Sequence, residues 1–403
     1  MSKTQCRGPL LSIVMPTRNR HRYATSAVRS ILLSIPCSEL ELIVQDSSDS
    51  RVLEEHLGSS MQDARLRYSY TPPPLSGVDN FNIAAHRATG EYVCFIGDDD
   101  GVNPEIMAAT QWAMENGFDA LTPTLPALYY WPDFETKYRG RTHAGRLYIG
   151  SFSGRQLQPN PEAEVRRCIR VACQTFAGMP KVYHGIVRRQ VLDEVRRRTG
   201  EYFGGASPDM YAAVCTAAVA RRVCLLDYPL ILPGSSAAST AGSSARRRHH
   251  GQLDTVPYLR RGVLDNWPAV IPRFYSVETV WAQAAIEALR AIGRADLIPD
   301  FNVPLLHAKC AIAHPDYLFT IISCYCRSLP RARRKKALAA VRLAFALVSA
   351  TSEWARHAYC RLMNPAPLPG ATTIGGLLNI EDATRALADQ LHRTGRKFDP
   401  GMT

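Results

Sequence analysis

Between residues 10 and 117, short apolar runs alternate with stretches whose apolar side chains recur at helical spacing. Residues 10–15, 40–44, 66–70 and 92–96 read as strands, and 23–34, 79–89 and 104–116 as helices. Asp79 suits an N-cap, Pro104 a first turn and Gly117 a stop. This alternation predicts an α/β fold with a Rossmann-like, mostly parallel sheet flanked by helices. Ligands of such sheets gather beyond the carboxyl ends of the strands, so the residues that follow each strand carry the functional expectation.

The strand 92–96 runs into Gly97, Asp98, Asp99 and Asp100. Adjacent carboxylates repel one another unless a cation or partner neutralises them. Their hard oxygens suit Mg²⁺ or Mn²⁺, and such an ion grips a diphosphate. The first strand ends in Pro16, Thr17, Arg18, Asn19 and Arg20, a polar cationic loop placed to receive a nucleotide, and the second ends at Asp46. Neither G-x-G-x-x-G nor G-x-x-x-x-G-K-[ST] is present, which disfavours a dinucleotide fold or a P-loop. Ser207, Pro208 and Asp209 open a helix at 208–220; Asp209 is either a charge that complements the helix dipole or a general base facing a cleft.

The chain has 403 residues and a formal net charge of +12, which favours anionic partners. Recognisable nucleic-acid-binding motifs are missing, so nucleic acid is not expected. Eleven cysteines without a regular framework, and no secretory pattern at the N-terminus, point to reduced thiols in the cytoplasm. Three parts are expected: a catalytic domain over 1–235, with a nucleotide-binding half at 10–125 and an acceptor half at 126–235; a mobile basic loop at 236–255; and a helical region at 256–403. In the loop, Arg248 is expected at the diphosphate and His250 in the metal shell. A basic stretch before an apolar-faced helix at 331–347 suggests peripheral contact with the inner, anionic face of a membrane, although no apolar run reaches the roughly 18–20 residues of a span.

Residues 11–20 with Pro16-Thr17-Arg18-Asn19, the strand ending at Asp46, Asn80-Phe81-Asn82, Ala88-Thr89-Gly90-Glu91-Tyr92, and Gly97-Asp98-Asp99-Asp100 with Pro104 together resemble family 2 of the nucleotide-sugar glycosyltransferases. The resemblance covers about 10–125 closely and continues more weakly to about 235. It implies a GT-A fold and an inverting, metal-dependent transfer from a nucleotide diphosphate sugar, a UDP-sugar first among them. The acceptor would be a hydroxyl of a saccharide or lipid-linked saccharide, in cell-surface polysaccharide or glycolipid assembly. At matching positions it implies Thr17 and Asn80 in the donor site, Asp46 at the base, Asp98 to Asp100 at the metal and ribose, and Asp209 as the carboxylate that deprotonates the acceptor. One departure stands out. The family's D-x-D-D, aligned on Pro104, puts Gly97 at the first Asp, so the metal ligand stays open among Asp98, Asp99 and Asp100. A non-catalytic nucleotide-sugar-binding protein of the same fold is the alternative.

Overall fold

The computed structural model describes residues 8–176, 178–246, 250–256, 259–330, 332–363 and 366–399. The first part alternates as its sequence predicts: β1 (Leu11–Thr17), α1 (His21–Ser34), β2 (Leu40–Asp46), α2 (Val52–Leu57), β3 (Leu66–Tyr70), α3 (Gly77–Arg87) and β4 (Tyr92–Phe95). The cap of α3 is Ser76 rather than Asp79: the Ser76 hydroxyl accepts the Asp79 N–H at 3.1 Å, one helical turn earlier than the apolar periodicity suggests. Next come β5 (Gly101–Val102), α4 (Ile106–Glu115), β6 (Ala120–Pro123), the hairpin of β7 (Ala127–Tyr130) and β8 (Arg146–Ile149), β9 (Gln156–Leu157) and α5 (Pro161–Arg170). β10 (Ile186–Arg188), α6 (Arg189–Thr199), α7 (Pro208–Val219), β11 (Val223–Leu226), β12 (Ile231–Leu232) and β13 (Gly234–Ser235) complete this half.

The main sheet runs β3-β2-β1-β4-β10-β6-β11-β9. β1 is parallel to β2 and β4, and β2 to β3; β10 enters antiparallel between β4 and β6. β1 and β2 are buried along their whole lengths because helices cover both faces, which is why they are rich in apolar residues without strict alternation. The order of strands turns back at β1 and β4, and the loops that follow these two strands meet there.

The later segment contributes α8 (Thr240–Ala245), α9 (Arg261–Asp265), α10 (Val277–Ala291), α11 (Val303–Ala313), α12 (Leu318–Ser328), α13 (Arg333–Met363), β14 (Thr372–Ile374) and α14 (Ile380–Arg393). Three features depart from the sequence reading. The expected basic loop contains a short capped helix, with Ser239 accepting the Gly242 N–H. The helix expected over 331–347 continues to Met363, because no proline or glycine interrupts it. That length and composition suffice to cross a membrane, contrary to the sequence expectation. The region 256–403 is also not one helical unit. α10 and α11 share a core with α5 and α7, whereas Ile380, Ala383, Leu387 and Leu391 of α14 join the core under β1 and α1, and β14 pairs with β8.

Candidate active site

The three aspartates that follow β4 are buried, each with 4% exposure or less. Thr17, the last residue of β1, donates its hydroxyl to Asp98 at 2.6 Å. Arg20 reaches across from the same loop, with Nη1 2.6 Å from Asp98 Oδ1 and Nη2 3.0 Å from Asp99 Oδ2. The Asp98 Oδ1 contact is off the direction of a hydrogen bond, so that atom is ion-paired without a donor aimed at it. Asp99 also accepts the Ser236 hydroxyl at 2.7 Å and the Ser236 N–H at 3.1 Å. Asp100 accepts the N–H groups of Gly97 at 2.6 Å and Gly234 at 2.8 Å, and its Oδ2 is 2.6 Å from His184 Nε2.

Charge and burial act against each other here. Burial pushes the Asp99 carboxyl up to about 7; Arg20 opposes this, while Asp100 and Asp98 add to it. Burial likewise raises Asp98 against the pull of Arg20. At Asp100 the same burial is outweighed by His184 and the two backbone N–H groups, and the carboxyl falls below its ordinary value.

Two glycines shape this arrangement. A Cβ on Gly97 would meet Asp100 Oδ2 and the Tyr183 hydroxyl, each at 2.9 Å. The room that a side chain at 97 would need is therefore filled by Asp100. A Cβ on Gly234 would lie 1.8 Å from the Asp99 carbonyl oxygen, so only glycine lets β13 pass this close.

The donors are of the kind a hard cation takes, but their arrangement does not fit one. Arg20 and His184 hold the positions of counter-ions, and among the described residues no three His, Cys, Asp or Glu converge as ligands. The expected metal role of Asp98, Asp99 and Asp100 is thus not met as they stand. His250 is not joined to them: its ring packs 5.5 Å from that of His314, beside α11. Arg248 lies outside the described residues.

The other expected residues divide clearly. Asn80 donates to the Thr17 carbonyl at 3.3 Å, and its own Oδ1 is buried without a partner, as is Arg20 Nε. Asp46 is buried and accepts the Ser48 N–H at 2.8 Å and the Tyr68 hydroxyl at 3.0 Å, one bond on each carboxylate oxygen. Asn19 and Asp49 bond reciprocally at 2.9 Å, and Arg18 pairs with Asp49 at 3.4 Å; these ties join the loops after β1 and β2. Pro16 is a buried strand residue and contributes only backbone.

Asp209 stands at the start of α7, accepting the Met210 N–H at 2.8 Å and the Ser207 hydroxyl. Ser207 thus spends its side chain on Asp209 instead of capping the helix. Burial raises the Asp209 carboxyl above its ordinary value, against Ser207, Met210 N–H and His184. Lys181 lies within electrostatic reach of it, its ammonium pushed down by burial and supported by Asp209. Burial, and then Asp100, Asp99, Asp98 and Asp209, all push the Tyr183 hydroxyl up, so it lies within electrostatic reach of both acidic groups. His184 holds φ of 59°, a strained conformation for a non-glycine residue, kept by its bond to Asp100.

Residues far apart in sequence hold the segment 202–206 that leads into α7. Asn82 donates to the Phe203 carbonyl at 2.9 Å and accepts the N–H groups of Tyr202 and Phe203 at 3.1 and 3.0 Å. From the other side, Gln283 accepts the Ala206 N–H at 2.7 Å. Sequence reasoning did not assign Arg20, His184, Ser236, Asn82 or Gln283. Arg20 and Asn82 did carry a signal, Arg20 as the last cation of the loop after β1 and Asn82 as part of the Asn80-Phe81-Asn82 motif.

The family profile described as Glycosyl transferase family 2 matches residues 12–181. A putative colanic acid biosynthesis glycosyl transferase of Escherichia coli is 33% identical over 96 residues, 24% of this chain and 34% of that protein. An uncharacterized glycosyltransferase of Haemophilus influenzae is 27% identical over 110 residues, 27% of this chain and 44% of that protein. The chain therefore spans less than half the length of these curated relatives. Among solved structures, TarS of S. aureus in complex with UDP-GlcNAc has a TM-score of 0.45 at 16% identity, covering 96% of this chain and 93% of that one.

Proposed function

Because residues 12–181 belong to glycosyl transferase family 2 and carry its GT-A fold, we propose that the chain is an inverting transferase that moves a sugar from a nucleoside diphosphate sugar to an acceptor hydroxyl. The observation that carries this reading is the buried cluster Asp98 to Asp100 at the carboxyl end of β4, with the half-buried Asp209 at a helix start within electrostatic reach of the same 181–184 segment. Similarity to a colanic acid biosynthesis protein supports a saccharide or lipid-linked saccharide acceptor in cell-surface polysaccharide assembly.

In this reading Asn80 and Arg20 face the donor, since each keeps a buried polar atom without a partner. Asp209 takes the proton of the acceptor hydroxyl as its oxygen attacks the anomeric carbon, and a raised carboxyl pKa makes it a stronger base than an exposed aspartate. Lys181 lends positive charge to the segment between base and donor. One displacement from the face opposite the leaving diphosphate inverts the anomeric centre. Mg²⁺ or Mn²⁺ remains an expectation that the present arrangement does not meet.

The test is a panel of UDP- and GDP-sugars incubated with saccharide acceptors, with released nucleoside diphosphate and product anomer both measured. We expect nucleotide release that depends on acceptor, with inverted product, and a UDP-sugar as the preferred donor. Nucleotide binding without acceptor-dependent release would instead assign a binding protein, and retention of anomeric configuration would remove the role of Asp209.

A further inference from the structure

α13 is held to the protein along one side only. Ala346 and Ala350 pack on Ala308 of α11, Lys309 Nζ pairs with Glu353 at 2.8 Å, and the Tyr325 hydroxyl donates to the Ala339 carbonyl at 2.8 Å. Leu338, Val341, Phe345, Val348, Tyr359 and Leu362 recur in steps of three and four, or multiples of them, on the opposite side of the helix. They are exposed, Phe345 by 73%, Val348 by 70% and Leu362 by 77%. An apolar stripe of this length facing water marks a surface that meets something.

Charge selects the occupant. The segment 331–363 carries eight Lys or Arg against one acidic residue, Glu353, and Glu353 lies on the packed side. A second copy would bring two cationic helices together, with no acidic residue beside the stripe to relieve them. An anionic lipid surface answers both the stripe and the charge. The helix is long enough to cross a bilayer, but its ion pair and packing with α11 hold it against the protein, and it therefore lies in the interface.

We propose that α13 is an interfacial anchor that docks the protein on an anionic lipid bilayer, with Phe345 and Val348 inserted and Arg334, Lys335 and Lys336 at the headgroups. This stands apart from the transfer reaction, and its test reads lipid binding alone. The full chain is co-sedimented with vesicles of phosphatidylglycerol and phosphatidylcholine, and with phosphatidylcholine alone. Binding is expected to the anionic vesicles, weakening with salt. Phe345→Glu with Val348→Glu should lower it at least tenfold. Lys335→Gln with Lys336→Gln should lower it roughly 25-fold, about fivefold for each charge lost. Both variants should keep the wild-type melting temperature, since these side chains are exposed.

Four results would overturn the proposal: no vesicle binding; binding equal on neutral vesicles; binding that survives Phe345→Glu with Val348→Glu; or a dimer in light scattering that this variant splits while vesicles bind neither. Retention on membranes through alkaline carbonate extraction would also overturn it, in favour of a spanning helix.

Discussion

Arg20 is the residue on which the acidic cluster most depends. It pairs with Asp98 and Asp99 at once, and both carboxylates are buried. Removing one partner of a buried pair leaves an uncompensated charge, so Arg20→Gln should destabilise the fold by about 3 kcal/mol at pH 8 in urea denaturation. The penalty should shrink at pH 5. The folded Asp99 carboxyl titrates near 7, and without Arg20 it titrates higher, so at pH 5 it takes up a proton and no longer needs a counter-charge. Asp209→Asn should leave stability and donor KM near wild type and cut kcat by roughly 10²–10⁴-fold. Since burial raises the Asp209 carboxyl, the acid limb of the kcat/KM profile should sit above the ordinary aspartate range and vanish in Asp209→Asn. At this scale the sequence displayed the acids and hid their partners. Asp98 to Asp100 stand out because three adjacent carboxylates after a buried strand are unusual, whereas Asp209, at a helix start where acids are common, is picked out by the resemblance. His184 and Ser236 meet them only through β10 entering the sheet and β13 crossing it, and no local pattern encodes either event.

At the scale of elements, the Ala88-Thr89-Gly90-Glu91-Tyr92 motif proves to be structural. Glu41 accepts the Thr89 N–H at 2.9 Å and the Thr89 hydroxyl at 2.8 Å, and Gly90 donates to the Ser12 hydroxyl at 2.8 Å. These bonds tie α3 to the amino ends of the strands, away from the acids. A Cβ on Gly90 would sit 2.7 Å from the Ser12 nitrogen, so Gly90→Ala should cost about 1–3 kcal/mol while leaving donor KM unchanged. The strands β1, β2 and β4 were legible because burial along their whole lengths favours apolar-rich runs. α13 was cut short in the sequence reading because its apolar residues were sought on a packed face, whereas they face outward. In the helical region, Glu278 at the start of α10 bonds His314 at 2.8 Å. Burial raises its carboxyl, but His314 outweighs burial and holds it below the ordinary glutamate value. A depressed acid stabilises above its unfolded pKa and loses that contribution as pH falls through the folded one. Thermal midpoints should therefore drop more steeply below about pH 4.5 in the wild type than in Glu278→Gln.

At the scale of the whole molecule, the chain leaves its first core after β13 and comes back to it with β14 and α14. Leu387 is fully buried there. Leu387→Ala should cost about 2–5 kcal/mol, and hydrogen exchange should show the loss in the amides of α1, although more than three hundred positions separate the two helices.

That return sets an order of events during synthesis. α1 cannot finish covering its apolar side until α14 has followed it, so the core under β1 and α1 stays incomplete while everything between is translated. A ribosome stalled anywhere between these two helices would hold a product with its first core still open.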